Sequence, residues 1–130
     1  MPRRPAIASL ADEQSAIGGV AAVDRAACLL AAFGDGTPVL TLAALAERTR
    51  LYKSTVLRLL ASLQHARLVQ RQVDGRYALG PSVARLYAAY TEGFALEPVV
   101  MPVLRALAAA TRESAALHVP QGTHRLCLYR

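Results

Sequence analysis

Lys53, Ser54, Thr55 and Arg58 lie within six consecutive residues of the segment LYKSTVLRLLASL, residues 51–63. Two hydroxyls, an ammonium and a guanidinium can donate hydrogen bonds to anionic oxygens, and an arginine can also grip a guanine edge or a phosphate. This is recognition chemistry, not bond-making chemistry. The chain has no glycine-rich phosphate loop, no paired carboxylates in a plausible cleft and no nucleophile motif, so no enzymatic activity is expected. His65, His118 and His124 fall on separate segments and read as isolated surface or packing histidines. Cys28 and Cys127 lack a second cysteine or histidine at metal-ligand spacing. They suggest neither a metal site nor a disulfide framework, no cofactor is expected, and a reducing cytoplasm fits best. The plain alternative for the polar residues is a solvated helix surface, with Ser54 or Thr55 capping the helix and Arg58 in water.

Those side chains need a helix to hold them, and the surrounding residues supply one. Val56, Leu59, Leu60 and Leu63 recur at i, i+3, i+4, i+7, and at 100° per residue Ser54, Arg58, Ala61 and His65 point the opposite way. Lys53 and Thr55 flank the first turn. Upstream, VDRAACLLAAFGDG places Ala26, Leu29, Leu30 and Phe33 at the same spacing and stops at Gly34 and Gly36. TLAALAERT then predicts a short helix capped by Thr41, with Leu42, Leu45, Ala46 and Thr49 on one side. Only Arg50, Leu51 and Tyr52 separate this helix from the next, which makes a helix-turn-helix. Downstream, LVQRQVDGRYAL predicts two strands about Asp74 and Gly75, with Leu68, Val69, Tyr77 and Leu79 as core contacts. The hairpin is a wing. Arg71 and Arg76 flank its turn, where a wing tip would pass a phosphate backbone or a minor groove.

At 130 residues and 54% hydrophobic, the chain can hold one domain with a core, or a small domain and a piece of another. No apolar run approaches the roughly 18 to 20 residues that cross a bilayer. The start, MPRRPAIASLADEQSAIGG, carries Asp12 and Glu13 where an export signal would be apolar, and residues 1–19 are expected to form a disordered tail. The formal net charge is +6, and seven basic residues between Arg48 and Arg76, opposed by Asp74 alone, account for all of it. Such a patch attracts a polyanion, nucleic acid first and an acidic membrane surface second, although charge alone is also compatible with a merely solvated face.

KSTVLRLL and GRYALG, set behind AVDRAACLLAAF and LTLAALAERT, resemble the N-terminal winged helix-turn-helix of the IclR family of bacterial transcription regulators, and the similarity runs over about residues 20 to 130. Lys53, Ser54, Thr55, Arg58, Leu59 and Leu60 match the family's recognition helix, and Arg76, Tyr77, Leu79 and Gly80 its wing and exit. The resemblance implies a mainly α fold with small β: a tail over 1–19, a DNA-binding winged domain over 20–80, a linker helix over 81–95, and an incomplete α/β effector-domain start over 96–130. It implies a dimer or higher homo-oligomer on palindromic double-stranded DNA, no membrane, and a small-molecule effector in the full-length family. The expected DNA contacts are Thr41, Tyr52, Lys53, Ser54, Thr55, Arg58, Arg71 and Arg76. The rival reading is a winged-helix module that binds protein.

The chain departs from the family where Arg50, Leu51 and Tyr52 replace glycine, leucine and proline before the recognition helix, and where Arg67 replaces glycine after it. Arg50 and Arg67 either accept roughly 1 kcal/mol of left-handed strain or sit in a differently shaped turn. Val83, Leu86, Tyr87 and Tyr90 share one face of the expected linker helix. After Thr111 only about one hairpin of sequence remains, so no complete effector pocket is expected, and the chain should bind DNA without a metabolite response. Strands near 114–119 and 125–130 are expected to be disordered or paired with another chain, and the helices from Pro81 to Thr111 to mediate self-association.

Overall fold

A computed structural model describes residues 7–34, 36–94 and 96–130. It divides into two compact units, one reaching Ala84 and the other Arg85–Arg130. The division falls inside the helix expected from sequence to act as a linker, between the boundaries at 80 and 95.

In the first unit, α1 (Leu10–Glu13) precedes α2 (Ala21–Ala31), a 3-10 turn (Ala32–Gly34), β1 (Val39–Leu40), α3 (Leu42–Thr49), α4 (Lys53–His65), β2 (Val69–Arg71) and β3 (Tyr77–Leu79). The apolar spacing explains which sides turn inward. Leu29, Leu45, Val56 and Leu60 are essentially solvent-free, and Phe33, Leu51, Leu63, Val69 and Tyr77 complete one core. Each fully buried leucine contributes about 1.5–3 kcal/mol relative to exposure, so the three-helix core dominates the stability of this unit. Thr49 is the one polar member of α3 driven into it, and its hydroxyl is satisfied by donating to the Leu45 carbonyl at 2.7 Å.

The strands form an antiparallel sheet in the order β1-β3-β2. Sequence reading found β2 and β3 but not β1, whose two residues are too few to show a period. Val39 opposes Ala78 and Leu40 opposes Tyr77, so β1 reaches no farther along β3 than Ala78. Leu79 therefore lacks a cross-strand neighbour on that side and stays 38% exposed. This corrects its assignment to the core.

The expected tail is corrected over Leu10–Glu13; residues 1–6 lie outside the described residues. Ser9 caps α1, accepting from the Asp12 amide at 3.2 Å, and Ala11 is buried. Helix α1 is held down by a two-point contact of Arg25 with Asp12, at 3.0 and 3.1 Å. A basic partner 13 residues away converts an acidic, tail-like sequence into a docked turn of helix.

In the second unit, α5 (Pro81–Phe94, beginning in the first unit) is followed by α6 (Glu97–Thr111) and an antiparallel pair of β4 (Leu117–Gln121) with β5 (His124–Tyr129). The two strands pair with one another through the turn at Gly122 and Thr123, forming the one hairpin expected after Thr111 and correcting the expectation of disorder. Gly122 takes the positive φ, +57°, that the tight turn needs. No single helix among the described residues is long and apolar enough to cross a membrane.

Candidate nucleic-acid interface

Helix α4 presents the polar residues as a surface because its opposite stripe is sunk in the core. Val56, Leu60 and Leu63 are buried, while Ser54, Arg58, Ala61 and His65 are exposed, as is Lys53; Thr55 is half-buried. Lys53 and Arg58 form no ion pair among the described residues. Their charges face water. Tyr52 is the N-cap in extended backbone and offers no side-chain cap. The first-turn amides of α4 therefore remain open to an external acceptor, and the macrodipole favours an anion there.

The angle of α4 is set by the turn before it. Arg50 ends α3 in left-handed backbone, φ 55° and ψ 30°, and Leu51 is buried as the anchor of the turn. Tyr52 points outward, 73% exposed. Arg67, with φ 58°, closes the other end of α4 in the same way. Both arginines thus adopt the left-handed conformation that glycine would take most easily, at a side-chain penalty.

The wing is fastened to α4 at its exit. The Gly80 amide donates to the Leu68 carbonyl at 2.8 Å, the Ser82 amide to the Arg67 carbonyl at 3.0 Å, and the Ser82 hydroxyl to the Ala66 carbonyl at 2.8 Å. A Cβ at Gly80 would overlap the Arg67 carbonyl. Glycine is needed here for close backbone approach, not for an unusual φ.

At the tip, the Gln72 amide donates to the Arg76 carbonyl at 2.7 Å, and Gly75 supplies a φ of +85°. Arg71 lies over the Tyr77 ring, 5.9 Å from its centroid, within cation-π range. Arg76 is paired with Asp74 at 2.8 Å. Hydrogen bonds from the Arg76 amide and then its guanidinium hold the Asp74 carboxyl below its usual 3.8. Thr41 is exposed at the start of α3, where its hydroxyl oxygen accepts from the Ala44 amide at 3.1 Å and keeps its own proton free to donate.

Charge counting overstated the free cations. Arg48 turns away to donate to the Ala32 carbonyl at 2.8 Å and to the Thr37 hydroxyl at 3.1 Å, and Arg50 pairs with Glu13 at 3.4 Å. Sequence reasoning also passed over Leu57, exposed between Ser54 and Ala61 on α4, and Val73, exposed at the wing tip. The position of Leu57 on the outward face was legible, three residues after Ser54 and four before Ala61; its apolar type gave no sign of a contact role. Among the described residues no cluster of His, Cys, Asp or Glu could hold a metal ion.

Residues 22–73 match the model of the IclR helix-turn-helix domain. The chain is 36% identical over 102 residues to the HTH-type transcriptional regulator TtgV of Pseudomonas putida, covering 77% of this chain and 38% of that protein. Among solved structures it is similar to one classed as an IclR transcriptional regulator from a Silicibacter species, at 32% identity and a TM-score of 0.75 over 82% of this chain and 42% of the other. It is also similar to an IclR transcriptional regulator from Alicyclobacillus acidocaldarius, at 27% identity and a TM-score of 0.73 over 84% and 45% of the respective chains. The chain spans less than half the length of these relatives.

Proposed function

The chain belongs to the IclR family of transcriptional regulators through its helix-turn-helix domain, and from that membership we propose that it reads a specific DNA sequence with α4 in the major groove. The observation that carries this is the exposed face of Ser54, Arg58, Ala61 and His65, directly behind a buried apolar stripe. Small and hydroxylated residues allow the helix to approach base edges, and the unpaired Arg58 can donate two hydrogen bonds to a guanine. Leu57 adds an apolar contact of the kind a thymine methyl accepts. Lys53, the open first turn of α4 and the Thr41 hydroxyl contact phosphates and set the register. Arg71 and Arg76 bring the wing against the backbone, Arg76 by exchanging its exposed Asp74 partner for a phosphate.

On this reading the chain acts as a homodimer on a roughly palindromic operator, in the cytoplasm and without catalysis. The effector, where the whole protein has one, is a small organic acid or a related metabolite. Binding-site selection from random duplexes, followed by titration of the selected site, tests the proposal. Arg58→Ala should weaken the selected operator by about 1–3 kcal/mol and leave random DNA little changed, whereas Arg76→Ala should weaken both alike. Affinity should also fall steeply with salt. An affinity for partner protein that is insensitive to salt, with no duplex bound, would favour the rival reading of a protein-binding winged helix.

A further inference from the structure

Glu13 and Arg50 are 37 residues apart in sequence, yet the carboxylate Oε1 stands 3.4 Å from the guanidinium Nη1. Arg50 lies in the turn that aims α4. Glu13 is not free to wander, because α1 is docked by the two-point contact of Asp12 with Arg25. A hollow of about 300 Å³ between this segment and the start of α4 is lined by Ser9, Asp12, Arg50, Tyr52 and Thr55 among others. The acidic helix therefore borders the same surface as the expected DNA contacts. For stability the pair has little purpose: both side chains are about half exposed, 49% and 47%, and solvent screens such pairs. Its effect is on the surface charge, since it removes one positive charge from the turn.

We propose that Glu13 limits the sequence-independent affinity for DNA by withholding the Arg50 guanidinium from the phosphate backbone. This rests on the DNA-binding reading above. Sequence-independent affinity is set by how many phosphates are neutralised, each adding about 0.9 to the slope of log affinity against log salt. A carboxylate fixed beside Arg50 competes with phosphate for the same donors. With the carboxylate gone, Arg50 is available as one more phosphate contact, on operator and random duplex alike.

The test is a salt titration of duplex binding, by fluorescence anisotropy, with the unaltered chain, Glu13→Gln, Arg50→Gly and the double variant. Glu13→Gln should bind both operator and random duplex more tightly, with a slope steeper by about 0.9, so that its advantage shrinks roughly 3-fold between about 50 and 200 mM salt. In the Arg50→Gly background, Glu13→Gln should change neither affinity nor slope. An unchanged slope for Glu13→Gln overturns the proposal, and so does an equal gain in the Arg50→Gly background, which would mean that mere loss of negative charge is responsible. Failure of the unaltered chain to bind any duplex would overturn the DNA-binding reading itself, and this inference with it.

Discussion

Arg50, Arg67 and Arg112 adopt left-handed backbone, with φ of 55°, 58° and 57°. In each the Cβ crowds the following carbonyl, a penalty of about 1–2 kcal/mol that glycine avoids. Arg67 has no ion pair among the described residues, so its side chain offers little in compensation. Arg67→Gly should therefore stabilise the first unit by about 0.5–1 kcal/mol after the extra chain entropy of glycine in the unfolded state is counted. The midpoint of denaturant unfolding would show it; no gain, or a loss, would mean that the arginine stem contributes packing that outweighs the strain. Gly80 presents the opposite case. Its neighbour, the Arg67 carbonyl, cannot swing away from an added methyl without giving up the hydrogen bond from Ser82. Gly80→Ala should destabilise by about 1–3 kcal/mol, read in the same unfolding assay, and a neutral result would show that the wing exit moves freely relative to α4.

At the level of elements, α2, α3, α4 and the β2–β3 hairpin were legible because each repeats apolar residues at its own period and ends in recognisable punctuation. The outward face of α4 was legible for the same reason, since the buried stripe fixes what remains outside. Elements whose existence depends on a partner were not. Helix α1 has only four residues and is held by Arg25, and β1 has two residues and is held by β3. Nor could spacing reveal which cations were already engaged, as Arg48, Arg50 and Arg76 are. Dependence on a partner gives α1 a pH response. Hydrogen bonds from Arg25 and then Ser9 hold the Asp12 carboxyl below its usual 3.8, so the folded form binds a proton less readily than the unfolded one. The contribution of this contact is present above pH 3.8 and is lost as pH falls through the depressed folded value. Amide signals of α1 should lose their docked positions in that acid range before those of α4 do, and Asp12→Asn should undock α1 at neutral pH while leaving α4 intact. Simultaneous loss of both elements would show that α1 is integral to the core.

Across the whole molecule, burial is unevenly divided. All six of the largest fully buried side chains, Leu29, Thr49, Leu45, Val56, Leu60 and Val69, belong to the first unit. In the second, only Leu104 and Leu128 are buried apolar residues among those described, while Leu86, Tyr87 and Tyr90 of α5 and Val99, Val103 and Leu107 of α6 stay exposed. The β4–β5 pair is a two-stranded sheet, an arrangement that is marginal in water without a packed face. The Tyr87 hydroxyl, donating to the Leu128 carbonyl at 2.8 Å, ties α5 to that hairpin. Local opening free energies follow buried apolar contact, so the two units should not open together. Native-state hydrogen exchange should find the amides of α2, α4 and β3 protected to the global limit of the first unit, and those of β4 and β5 exchanging earliest. Tyr87→Phe should speed exchange in β5 without altering α4. Equal protection across both units would mean instead that the chain unfolds as one cooperative body, with stabilising contacts in the second unit beyond its thin core.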